Sequence, residues 1–174
     1  VVGDADFTFN GTTVTMSNDA SINGLTVGRG GGAISTNTAF GSSALANNTG
    51  GNNMTVGYQA GISITSGGAN TCIGSNAGNT GAGYAITTGN RNVLIGYNAN
   101  LGGAGSESSC IFLTTRGDST TGKGSSTGYI DAGGGGVYQG NNAATWSITS
   151  DARLKKNIVD NNTGLDKITA IQVR

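Results

Sequence analysis

The sequence predicts an all-β protein: a parallel β-solenoid wound as a trimeric fibre, with a short helix beginning near the C-terminus. Three observations carry that reading. The 174 residues include 33 glycines but only 6% aromatics, too few large side chains for a helical core. Apolar residues alternate with Thr, Ser and Asn in short runs, the period-2 mark of strands. And a glycine-centred motif recurs along the middle of the chain, as stacked units require.

Residues 1–28 read as a fibre segment of short strands. Phe7, Phe9, Val14, Met16, Ile22, Leu25 and Val27 alternate with small polar residues. Asn10-Gly11 and Asn23-Gly24 are turn dipeptides between them.

Residues 29–106 carry the repeat. Phe40-Gly41, Val56-Gly57, Ile73-Gly74 and Ile95-Gly96 each sit in N-x-x-(F/V/I)-G-x-x-A, beginning at Asn37, Asn53, Asn70 and Asn92. The motif alanines are Ala44, Ala60, Ala77 and Ala99. The glycines stand 16, 17 and 22 residues apart, with Val27-Gly28 a weaker start. The large residue before each glycine is expected to point inward, and the alanine to be a second, smaller inward position. Glycine marks a bend or a place too crowded for Cβ. One large apolar residue per unit is too little for one chain to close a core. Stacked units, and three chains around one axis, would bury more.

This motif resembles the head repeat of trimeric autotransporter adhesins, a left-handed parallel β-roll built on N-x-x-(V/I)-G-x-x. The resemblance implies a rigid trimeric scaffold, and the uneven steps imply loops of different length between coils.

Residues 107–149 form a Gly-rich β segment. Cys110-Ile111-Phe112-Leu113 reads as a short buried strand, and Val137-Tyr138 and Trp146-Ser147-Ile148 as further strands. Cys72 and Cys110 both lie in apolar stretches and are expected to be buried free thiols.

Composition excludes several chemistries. Without histidine there is no Ser-His-Asp triad and no His-ligated zinc. Nine basic and nine acidic residues cancel, so charge recommends neither nucleic acid nor an anionic membrane. No apolar run approaches the ~20 residues that span a bilayer, so no membrane insertion is expected. Gly117 to Gly124 nearly spells a phosphate-binding loop, but Gly124 stands where Ser or Thr should meet magnesium. The sequons at Asn10, Asn47, Asn53 and Asn161 are what an Asn/Ser/Thr-rich chain produces by chance. Asp118 and Asp131 read as solvated turn residues rather than calcium ligands. No cofactor and no metal are expected.

The sharpest motif is Ser150-Asp151-Ala152-Arg153-Leu154-Lys155-Lys156-Asn157-Ile158. It resembles the S-D-x-R-L-K-x-N-I opening of the endosialidase-type intramolecular chaperone domain, which ends phage tail fibres and tailspikes, assists their trimeric folding and cuts itself off. The resemblance implies cleavage at Thr149–Ser150, with Ser150 the nucleophile and Lys155 its base. A serine hydroxyl needs a base, and lysine can serve when desolvation or nearby charge lowers its pKa. Positions five apart lie about 140° apart on a helix, so the two would meet across a turn or between subunits. Thr163 to Asp166 then approximates a capping box, with Leu165, Ile168 and Ile171 on one helical face. Residues 150–174 are expected to be only the start of that domain, too short to build the pocket that cutting needs. The chain opens on Val1 rather than Met, so a fragment or a processed product is expected.

The expected function is that of a structural and adhesive homotrimeric fibre: the distal part of a phage tail fibre, in the virion, meeting a glycan or protein receptor on a host cell. The alternative is a bacterial surface adhesin built from the same modules. No external substrate is expected. A polysaccharide-cleaving enzyme would need paired carboxylates in a cleft, and the nine acidic residues are scattered.

Overall fold

A computed structural model describes residues 7–79, 85–115, 123–133, 135–140 and 145–148. All of the regular structure in them is β. Two short strands, β1 (Phe7–Phe9) and β2 (Val14–Met16), form an antiparallel hairpin. Asn10 closes its turn, its Oδ1 accepting the amides of Thr12 and Thr13 at 3.0 and 2.8 Å. This is the Asx turn that Asn-Gly favours.

The remaining strands make one continuous ten-stranded sheet in sequence order. It starts with β3 (Ala20–Ile22) and β4 (Leu25–Gly28), an antiparallel pair. Asn23 and Gly24 turn between them at φ 51° and 80°, two left-handed residues in a row as a tight hairpin requires. Six strands then stack in parallel: β5 (Thr38–Phe40), β6 (Met54–Val56), β7 (Thr71–Ile73), β8 (Val93–Ile95), β9 (Ile111–Thr114) and β10 (Gly128–Asp131). The antiparallel β11 (Gly136–Gln139) and β12 (Trp146–Ile148) end the sheet. The parallel part is a β-solenoid of about 5 turns.

The repeat alignment is the register of the stack. Phe40 pairs with Val56, Val56 with Ile73, and Ile73 with Ile95. Each rung hands its hydrogen bonds to the next, for example Thr38 N to Asn53 O, Met54 N to Asn70 O and Thr71 N to Asn92 O, all at 2.8 Å.

Two of the repeat expectations need correction. The residue before the glycine does not point inward. Phe40 is 45% and Ile95 37% exposed, while Val56 and Ile73 are half-buried. The middle residue of each strand faces the interior instead: Ala39, Thr55, Cys72, Leu94 and Phe112 are all buried. The cause is strand periodicity. The motif asparagine is turned inward, so the third residue after it, in an alternating strand, must face outward.

The second correction concerns the core. A single chain does close one, though it is narrow. Leu45, Ile64, Ile86, Leu94, Leu101 and Phe112 fill it, and the motif alanines, inward as expected, line it where space is short. At the C-terminal end the rings of Phe112 and Tyr129 stack at 5.4 Å between centroids. Large residues supplied by the turns, Leu45, Ile64 and Ile86, do what the motif residues were expected to do.

Candidate functional site

The repeat glycines do structural work of a specific kind. Gly41, Gly57, Gly74 and Gly96 have φ of 148°, 133°, 130° and 130°. L-residues with a side chain rarely adopt such angles. At Gly57 a Cβ would also lie 2.5 Å from the carbonyl oxygen of Gly74 on the next rung. Gly41, Gly74 and Gly96 face the next rung's carbonyl in the same way. Glycine is required on both counts, because the chain turns its corner in backbone contact with the coil above.

The motif asparagines are the residues whose role the sequence left unread. Asn37, Asn53, Asn70 and Asn92 are all buried and form a ladder along the interior. The Oδ1 of each accepts the backbone amide of the next: Asn53 N at 2.8 Å, Asn70 N at 2.9 Å, Asn92 N at 3.1 Å and Cys110 N at 3.0 Å. The Nδ2 groups donate to the carbonyls of Gly50, Gly67, Gly89 and Glu107 at 2.8–2.9 Å. Each side chain thus satisfies buried donors and acceptors where the backbone enters the strand. The signal was available: asparagine opens all four units.

The outer face of the sheet is its most unusual surface. The residues before the glycines, Phe40, Val56, Ile73 and Ile95, continue in register through Leu113 to Ile130. At the ends, Val27 pairs with Phe40 and Val137 with Ile130, so the antiparallel strands extend the same column. Ile130 is 41% and Val137 38% exposed. A second outward column runs beside it, with Met54, Val93 and Ile111 among its members. A hollow of about 220 Å³ opens in this face, bounded by Ile95, Leu113 and Ile130, with Asp131 at its edge. Asp131 is buried, contrary to its reading as a solvated turn residue. Its Oδ1 accepts the amide of Gly133 at 3.0 Å.

A second, more open cleft of about 430 Å³ lies at the start of the solenoid, between Asp19, Gly30 and Ser42. The Asp19 carboxylate accepts the amides of Arg29 and Gly30, both at 2.7 Å, and so fastens the antiparallel cap to the first coil.

Both cysteines are buried free thiols, as expected. Burial pushes the Cys72 thiol up to about 12, and desolvation also raises that of Cys110. Neither is a thiolate nucleophile near neutrality. Among the described residues no group of three His, Cys, Asp or Glu side chains could hold a metal ion. Nor is any helix there long and apolar enough to cross a membrane.

Thr149, Ser150 and Lys155, the expected cleavage site and catalytic pair, lie outside the described residues, as does the expected helix around 163–171. Of the near-match to a phosphate loop only Lys123 and Gly124 are described. The Lys123 ammonium sits 5.1 Å from the Tyr129 ring centre and 5.7 Å from that of Tyr138, a cation–π contact that occupies its charge. No family model, no curated protein and no solved structure matches the chain.

Proposed function

We propose that this chain is a segment of a homotrimeric structural and adhesive fibre, the distal part of a phage tail fibre, whose task is to meet a host cell surface. The observation that carries the reading is the uninterrupted β-solenoid. Stacked rungs at about 4.8 Å make the ten-stranded sheet a rod about 43 Å long. Backbone ladders, asparagine ladders and glycine corners repeat along it, and such a scaffold transmits force and presents loops without itself moving. The resemblance of the repeat to adhesin heads, and of Ser150 to Ile158 to the opening of a self-cleaving chaperone, adds the extracellular and trimeric character. In this reading the receptor meets the loops between coils, and the C-terminal domain assists assembly before it is cut away ahead of Ser150.

Binding to cells tests it. The purified chain, fluorescently labelled, is mixed with a panel of bacterial strains and with the same strains stripped of surface polysaccharide or treated with protease. Saturable adsorption to some strains is expected, with one of the two treatments abolishing it, and electron micrographs should show short rods. Uniform failure to adsorb across the panel, or round particles in the micrographs, would overturn the reading.

A further inference from the structure

We infer that the outward face carrying the principal apolar column of the sheet is the surface on which further copies of this chain sit, one face from each chain turned to a common axis parallel to the stack. The number three rests on the trimeric reading above. The surface itself rests on different observations.

The first is composition by position. From Val27 to Val137 every rung of the principal column places an apolar residue outward, and none of them is charged. Water-facing sheet positions ordinarily alternate to polar residues. Here the polar alternates, Asn37, Asn53, Asn70 and Asn92, are inside instead. A large residue facing outward is kept at rung after rung in a chain otherwise poor in large residues.

The second is size. Eight rungs at about 4.8 Å and a width of about 12 Å give a face of about 460 Å², within the range for the largest apolar patch on a monomer. Two such faces in contact bury about 900 Å², short of the roughly 1,000 Å² a specific pairwise interface needs, so two copies alone are too few. In a three-fold arrangement each face is divided between its two neighbours, and the three faces together bury about 1,400 Å².

The third is fit. Each copy has the same rise per rung, so parallel copies stay in phase along their whole length and like residues meet at like heights. Mismatched partners would lose register after a few rungs. The hollow bounded by Ile95, Leu113 and Ile130 is an apolar socket within this face, large enough for a branched or aromatic side chain of a neighbour. A lipid surface is the poorer occupant, because neither column carries the basic residues that anchor a protein to anionic headgroups.

The experiment uses the intact 174-residue chain. Light scattering after size exclusion should give three times the 17.1 kDa of one chain. Ile73→Lys and Ile95→Lys should each shift the mass to that of a single chain. Their far-UV spectra should stay β, since the inward Cys72 and Leu94 are untouched. Ser66→Lys, an exposed position between strands, should leave the mass unchanged. Cross-linking covers the case in which a lysine variant fails to fold. Ile95→Cys should form a disulfide-linked pair of chains under mild oxidation, while Ser66→Cys should not.

A trimer that survives Ile95→Lys and gives no cross-link through Ile95→Cys would overturn the surface and leave the trimeric reading standing. A stable dimer dissociated by Ile95→Lys would keep the surface and overturn the three-fold axis. A wild-type chain that stays monomeric at high concentration would overturn both.

Discussion

Asn70→Ala tests whether the interior ladder holds the solenoid together. The Asn70 side chain is completely buried. Its Nδ2 donates to Gly89 O at 2.9 Å, and its Oδ1 accepts Asn92 N at 3.1 Å and Asn92 Nδ2 at 3.0 Å. Alanine removes all three bonds and supplies nothing in their place. The Asn92 amide and the Gly89 carbonyl lose these partners in a site closed to water, at about 1–3 kcal/mol each. The Asn92 Nδ2 group keeps its bond to Glu107 O at 2.8 Å and adds little. The expected loss is therefore about 4 kcal/mol, within a range of about 2–6. That is a large part of the 5–15 kcal/mol typical of a whole domain. Urea unfolding followed by far-UV circular dichroism measures it, at one fixed protein concentration because association adds to apparent stability. Asn90→Ala is the matched control. Asn90 also makes ladder-like bonds, accepting Gly68 N at 2.8 Å and donating to Thr88 O at 3.0 Å, but it is exposed. Water replaces those bonds, so its loss should stay below about 1 kcal/mol. Equal losses from the two variants, or a loss below about 1 kcal/mol from Asn70→Ala, would refute the reasoning.

Three further outcomes are expected. Gly57→Ala should destabilise by more than about 3 kcal/mol, through both its φ of 133° and the Gly74 carbonyl, whereas Gly11→Ala, with open space around its Cβ, should cost about 1 kcal/mol; thermal or urea melts compare them. Cys72 and Cys110 should resist a thiol reagent at pH 8 in the native protein and react at once in denaturant. Because burial pushes the Cys72 thiol from 9.0 up to about 12, the unfolded chain loses its proton first; the contribution of this thiol to stability should be constant below pH 9.0 and fall as pH rises from there toward about 12, and Cys72→Ala should abolish that part of the fall. In a longer chain carrying a complete C-terminal domain, cleavage at Thr149–Ser150 should be blocked by Ser150→Ala and by Lys155→Ala but not by Lys156→Ala, as read on a denaturing gel; a cut product from Ser150→Ala would remove the nucleophile assignment.

Much of this architecture was written in the residue pattern. The four asparagine-to-alanine units set both the rungs and their register, because a repeat that stacks must pair like with like. Asn10-Gly11 and Asn23-Gly24 specified the N-terminal hairpins through local backbone preference alone, which needs no tertiary partner. The glycines at 41, 57, 74 and 96 announced corners for the same reason. What the pattern could not decide is which side of each strand is the inside. Alternation divides residues into two faces but does not say which is buried, and size suggested Phe40 and Ile95. Only the tertiary structure reverses that choice. The coil interior is narrow, it is filled from the turns by Leu45, Ile64 and Ile86, and the asparagines must lie within it to satisfy backbone groups that no strand pairs. Once they face in, the large residues of the same strands have to face out, and residues expected to fill the interior become an apolar surface along the sheet.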